Sequence, residues 1–218
     1  MSGTVHTRTQ EIKHISFTYR KMYPGLRYSS CRALTICMLL GTLASLPQTL
    51  VYAIEEDYQV EISKSDKELI IKKGGETIKR FDVSLGKGGK GTKQRLGDNK
   101  TPIGVYKITD FKANSKFHYF MQIDYPNLLD AWYGYKNNII TAKEFKRIAF
   151  AFKGKQRPPQ DTPLGGYIGI HGLGESTGER LKIHETFDWT EGCIALKNSE
   201  ITALRQYVSI GTRVTIKE

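Results

Sequence analysis

Residues 33–50 run for eighteen positions without a charged side chain, and this run divides the chain into two parts with different physics. Arg8, Lys13, Arg20, Lys21, Arg27 and Arg32 precede it, against the single acid Glu11. Small residues at Val51 and Ala53 frame an exit before Ile54. A basic stretch, an apolar core and a small-residue exit make an export signal. Residues 1–53 are therefore read as a signal peptide and residues 54–218 as the mature domain. The run also approaches the ~20 apolar residues that span a bilayer, so an uncleaved anchor is the rival reading. Pro47 and the small-residue exit favour cleavage. The expected location is the periplasm or cell wall, with the leader touching the membrane during export. Neither Cys31 nor Cys37 follows a lipoprotein-type run of small residues.

Removing the leader moderates the charge. The whole chain carries +11, whereas residues 54–218 hold 27 basic and 21 acidic side chains, a net +6. A mildly basic exported domain suits an anionic polymer surface such as a cell wall. It is not a nucleic-acid signature, because the cations are scattered and no recognition motif accompanies them. A chain of this length can bury one proper core.

Export also isolates one cysteine. Of Cys31, Cys37 and Cys193, only Cys193 lies beyond the leader, so it has no partner within the mature chain. A lone thiol in a disulfide-forming compartment is a liability unless its chemistry is used.

The mature region reads as mainly β with a few helices. Period-two alternation or short apolar runs predict strands at 58–63, 69–71, 81–85, 105–108, 119–123, 167–170 and 213–216, with Gly74-Gly75 as a hairpin or short loop. Thr141 and Glu144 have capping-box spacing ahead of Phe145, Ile148 and Ala149, which predicts one helix. Asn198 or Ser199 would cap a second, with Ile201, Leu204 and Val208 on one side and Gly211 closing it.

The loop 86–104, "GKGGKGTKQRLGDNKTPIG", resembles a phosphate-binding loop at first. The pattern then requires Lys followed by Ser or Thr, whereas Thr92 precedes Lys93, and no helix follows to hold phosphate. It is read as a mobile surface loop closed by the turn at residues 101–104. The proline-bearing loop 154–166 cannot serve a central strand, so it connects elements and borders a cleft.

Two side chains could carry chemistry together. His171 ends the apolar run "GGYIGI" and precedes Gly172, a residue that permits close backbone approach. The bland alternative is a histidine satisfied by a backbone carbonyl at a strand end. Cys193 sits in "DWTEGCIALKN", where polar residues lead up to the cysteine and apolar ones follow it. A nucleophilic thiol needs a base and donors for an oxyanion, and Gly192 lets the backbone turn tightly enough to aim amides. The alternative is an inert cysteine in a core. A zinc site from His171, His184 and Cys193 is disfavoured, because spacings of 13 and 9 residues match no compact ligand motif.

These elements resemble the L,D-transpeptidase catalytic domain, the YkuD family. His171-Gly172 at a strand end and Thr190-Glu191-Gly192-Cys193-Ile194 match its signature, and "DNKTPIGVYKI" and "IDYPN" resemble it further. The resemblance runs from about Tyr58 to the C-terminus. It implies a mixed β-sandwich acting on peptidoglycan stem peptides without metal or other cofactor. Cys193 would be the nucleophile, His171 the base, Gly192 a backbone donor to the oxyanion, and Thr190 the residue that orients the loop. The bond attacked would join diaminopimelate to D-alanine, and the thioester would pass to an amine. Gly172 and Lys197 are the residues expected to meet substrate. Lys197 is named because many members carry arginine two residues after the cysteine, where this chain has Ala195. Glu191 stands where histidine or lysine is common, and the loop between His171 and Cys193 is longer than usual. A hydrolase on the same scaffold and a non-catalytic wall-binding protein are the competing readings. A thiol that labels no faster than free cysteine, and forms no adduct with a carbapenem, would favour the second of these.

Overall fold

Alternating side chains build the first strands as the pattern predicts. The computed structural model describes residues 57–218, so the expected signal at 1–53 lies outside the described residues. The elements in order are β1 (Gln59–Ser63), β2 (Glu68–Lys73), β3 (Glu76–Asp82), β4 (Gly104–Ser115), β5 (His118–Ile123), α1 (Leu128–Lys136), α2 (Ala142–Lys153), β6 (Gly169–His171), α3 (Gly178–Thr186), β7 (Ile194–Ala195), α4 (Asn198–Leu204) and β8 (Arg213–Lys217). No helix among the described residues is long and apolar enough to cross a membrane.

The strands form one mixed sheet in the order β3-β2-β1-β8-β4-β5-β6-β7. The β1–β8 and β6–β7 pairs are parallel and the others antiparallel. The chain leaving β3, one edge of the sheet, returns to β7 at the other edge, where Ser84 bridges Ala195 and Gly86 bridges Thr190. Strand β4, twelve residues long, pairs with β8 at its start and with β5 further along, so it joins the two halves of the sheet. Val60, Ile62, Leu69, Ile71, Ile108, Met121, Ile123, Ile170, Ile194, Val214 and Ile216 fill the enclosed core. The segment that follows one sheet edge therefore reaches the other edge on either side of Cys193.

Helix α2 starts as expected. Thr141 Oγ1 accepts from the Glu144 N–H at 3.2 Å and the Glu144 carboxylate accepts from the Thr141 N–H at 2.7 Å. Ile148 is buried against Ala131, Ile140 and Leu164 in a small satellite core shared with α1. Other elements differ from expectation. The strand expected at 81–85 ends at Asp82, because Ser84 has crossed to the β7 edge. Helix α4 begins at Asn198 with Lys197 as its cap residue. Asn198 instead crosslinks the loop after β6, accepting from the Leu173 N–H at 2.8 Å and donating to the Gly174 carbonyl at 2.7 Å.

The loop 86–104 is not the mobile segment its composition suggested. The Asp98 carboxylate accepts from the amides of Gln94 (2.7 Å), Arg95 (3.0 Å) and Lys100 (3.1 Å) and from Lys93 Nζ (2.8 Å). Lys93 is buried, and Thr92 Oγ1 accepts from the Ile103 N–H. This self-bonded loop forms a wall beside Cys193.

Candidate active site

Strand pairing brings His171 and Cys193 together. In the parallel β6–β7 ladder Ile170 faces Ile194 and His171 faces Ala195, so Cys193 enters β7 two positions before the residue opposite His171. Both side chains line one cavity of about 820 Å³. Leu96, Asn99 and Lys93 of the 86–104 loop form one wall; Lys112, Lys116 and Phe117 from the β4–β5 hairpin form another.

His171 is buried in an aromatic sleeve. Phe117 stacks on it with centroids 4.2 Å apart, Phe120 lies parallel at 6.2 Å, and Trp189 meets it edge-on at 5.8 Å. Its Nδ1 is 2.7 Å from the Gly172 carbonyl oxygen. A carbonyl can only accept, so Nδ1 carries the proton and the neutral ring keeps its lone pair on Nε2. One nitrogen is thus satisfied by backbone, and the other keeps a free lone pair, so the bond by itself does not oppose the functional reading. Burial pulls the imidazole down to about 4, against the opposing bond to Gly172, and the nearby His184 and Lys116 add to the fall.

Gly172 does not line this cavity; it works beneath the histidine. Its N–H donates to the Tyr119 carbonyl at 3.1 Å. A Cβ there would come within 2.7 Å of Asn198 Oδ1 and of the Phe117 carbonyl oxygen. Glycine is required because three segments converge on it, a packing reason that stands apart from the expected substrate contact.

Cys193 is half-buried, and its Sγ faces the Tyr167 carbonyl at 3.5 Å. Burial pushes the thiol up to about 11, although the Gly169 backbone and Lys93 pull it down; Glu191 adds to the rise. The resting pair is therefore a protonated thiol beside a neutral imidazole.

Thr190 ties together the loop that carries Cys193. Its hydroxyl donates to the Cys193 carbonyl at 2.7 Å and accepts from the Gly192 N–H at 3.1 Å. That second bond engages within the loop the Gly192 amide that was expected to serve an oxyanion. The Cys193 N–H has no acceptor among the described residues, which leaves it as the amide open to an oxyanion. Gly192 is needed for another reason. Its φ is +129°, and a Cβ would sit 2.8 Å from the Lys100 carbonyl oxygen.

Lys197 lies away from Cys193. It lines a second cavity of about 350 Å³ with His184, Ser84 and Asp82, and its Nζ pairs with Glu185 at 2.7 Å. Lys112 and Lys116 are the exposed cations in the Cys193 cavity; no carboxylate among the described residues pairs with either. Ala195 is fully buried. His184 belongs to α3, which accounts for the long loop after His171, and it bonds Ser84 at 2.9 Å rather than joining His171 and Cys193. Sequence reasoning missed Phe117, Phe120 and Trp189. Only Trp189 had a local signal, its place four residues before the cysteine.

A family model described as the L,D-transpeptidase catalytic domain (YkuD) matches residues 57–216. Comparison with curated protein sequences finds no match. Among solved structures, the helical cell shape determining protein Pgp2 from Campylobacter jejuni is 24% identical, with 75% of this chain and 48% of that chain covered and a TM-score of 0.48. Bd1075 of Bdellovibrio bacteriovorus is 20% identical over 74% of this chain and 48% of that chain, with a TM-score of 0.47. The L,D-transpeptidase from Xylanimonas cellulosilytica is 16% identical over 74% and 61%, with a TM-score of 0.42. The chain spans about half the length of the first two.

Proposed function

The chain belongs to the family of L,D-transpeptidase catalytic domains, and from that premise we propose that it is a cysteine acyltransferase acting on peptidoglycan stem peptides outside the cytoplasmic membrane. The observation that carries this reading is the tautomer of His171, whose Nε2 lone pair shares a cavity with the Cys193 thiol.

In this mechanism His171 Nε2 takes the thiol proton as Sγ attacks the carbonyl carbon of the diaminopimelate–D-alanine bond. The Cys193 amide receives the oxyanion. The imidazolium then returns the proton to the departing D-alanine amine as the C–N bond breaks, leaving a thioester. An amine, or water, attacks the thioester with His171 again as base, and the thiol is regenerated. Because the resting thiol is protonated, proton transfer accompanies attack instead of preceding it. Thiol and imidazole suffice, so no cofactor is invoked. Lys112 and Lys116 suit the stem peptide's carboxylates, and Glu191 suits an incoming ammonium group. Export through the 1–53 leader would place the domain at its polymer.

The test is mass spectrometry of muropeptides after incubation with wild type, Cys193→Ala and His171→Ala. Joined stems with free D-alanine are expected from wild type only, since loss of a base typically costs ~10²–10⁴-fold. Shortened stems without joined products would assign the hydrolase. Wild-type rates in either variant would sink the mechanism.

A further inference from the structure

Helix α2 carries a feature that its packing does not use. Ile148 and Ala151 are its buried residues, and at about 100° per residue Phe150 points to the opposite side. Phe150 is 73% exposed. Lys143, Lys146, Arg147 and Lys153 stand seven, four and three positions before Phe150 and three after it, the spacings that share a helix face. Arg147 pairs with Asp161 at 3.0 Å. Lys143, Lys146 and Lys153 have no carboxylate partner among the described residues. The helix's one acid, Glu144, is occupied by its cap bonds to Thr141. An outward phenylalanine is thus ringed by cations on one face of the helix.

We propose that this face of α2 docks on an anionic lipid bilayer. Charge excludes two other occupants. A second copy would bring the same cations together, and the basic segment at 1–32, with six cations and one acid, has the same sign. A polyanion in water would satisfy the lysines but leave Phe150 solvated, and a helix face offers no groove for a strand. A bilayer satisfies both parts: lipid phosphates meet the lysines, and the ring enters the boundary between headgroups and acyl chains. Lysine stems can lie along that boundary with their ammonium groups at the phosphates. The docking is independent of the acyl-transfer chemistry.

The test uses the full chain with vesicles containing a photoreactive lipid, and crosslinks are mapped by peptide. Crosslinks to the apolar run at 33–50 serve as the internal standard. On vesicles with about one-third phosphatidylglycerol, residues 142–153 are expected to crosslink. On phosphatidylcholine alone the α2 signal should fall by about tenfold relative to the standard, as it should with Lys143, Lys146 and Lys153 changed to Glu. Phe150→Ser, at an exposed position that the fold does not need, should also lower it by roughly tenfold. Equal α2 labelling on both vesicle types overturns the proposal, as does absence of α2 crosslinks on the anionic vesicles. Unchanged labelling of Phe150→Ser overturns it in favour of plain polyanion attraction.

Discussion

His171 Nδ1 lies 2.7 Å from the carbonyl oxygen of Gly172, and that bond settles which ring nitrogen can act as a base. Burial holds the same ring near pKa 4. As the proposed base, the ring is therefore neutral throughout the physiological range, and its protonation would limit activity only in acid. The expected kcat/KM profile is flat from about pH 5.5 to 8 and falls as pH drops through about 4. The sign for stability agrees: a histidine whose folded pKa is lowered favours the fold above its unfolded value near 6.5 and loses that contribution as pH falls toward 4. Melting temperatures must accompany the acid limb to separate the two effects. An inflection near pH 6.5 would show that His171 is solvated or is not the base.

The thiol prediction runs against the usual signature of a reactive cysteine. With Cys193 pushed up to about 11, iodoacetamide should alkylate it at pH 7 roughly tenfold or more slowly than free cysteine, with the rate climbing toward pH 11. Slow labelling then accompanies a catalytic site as readily as a decayed one. Acyl transfer, not labelling, separates those readings. Rapid alkylation at neutral pH would mean a thiolate–imidazolium pair at rest.

Thr190 joins the Cys193 carbonyl to the Gly192 amide through one hydroxyl. Thr190→Val removes both bonds and leaves a buried N–H unpaired, at a cost of about 1–3 kcal/mol in stability. We expect kcat for D-alanine release to fall about tenfold with little change in KM, because the nucleophile loop loses its orientation. Thr190→Ser keeps the hydroxyl and should restore most of the rate. Failure of serine to rescue would assign Thr190 a packing role.

Glu191 is exposed in the wall of the Cys193 cavity, next but one to Cys193. If it receives the acceptor ammonium, Glu191→Gln should shift thioester breakdown from joined product toward water. The ratio of joined to hydrolysed muropeptides should drop several-fold. Release of D-alanine should hold or quicken slightly, since the Glu191 charge raises the thiol pKa. An unchanged ratio would remove Glu191 from acceptor recognition.

Asp130 offers a test of the scaffold away from the cavity. It is half-buried at the start of α1, where it accepts from the Asn127 N–H at 2.9 Å and from the Tyr106 hydroxyl at 3.1 Å. Burial raises its carboxyl to about 7 despite those bonds. A carboxyl raised in the fold contributes stability that is full below about pH 4 and is lost as pH climbs through 7. Asp130→Asn should flatten this decline between about pH 4 and 8 in urea titrations. A variant with the wild-type slope would show that the acid ionises freely.

Local features were readable without the fold. The Thr141–Glu144 box needs only adjacent backbone and two side chains, so its spacing identified the start of α2. Period-two alternation placed β1 because each side chain responds to the two faces of a sheet. In contrast, β7 is two residues long and exists because β6 and residue 84 pair with it. No periodicity could announce it. Asn198 read as a helix cap because caps favour asparagine; a contact to Leu173 and Gly174 across twenty-five residues or so has no sequence pattern.

By itself the sequence determined the chemistry available: a strand-end histidine, a glycine before the one cysteine among the described residues, and a threonine three residues ahead of it. Those depend on residue type and short spacing, which are visible in one dimension. Only the tertiary structure decided how each is used. The Gly172 carbonyl sets the histidine tautomer, Thr190 occupies the Gly192 amide, and Lys197 stands at a different cavity from Cys193. Burial and hydrogen-bond competition are properties of surroundings contributed by distant segments, so they appear only once β6, β7 and the 86–104 loop have met.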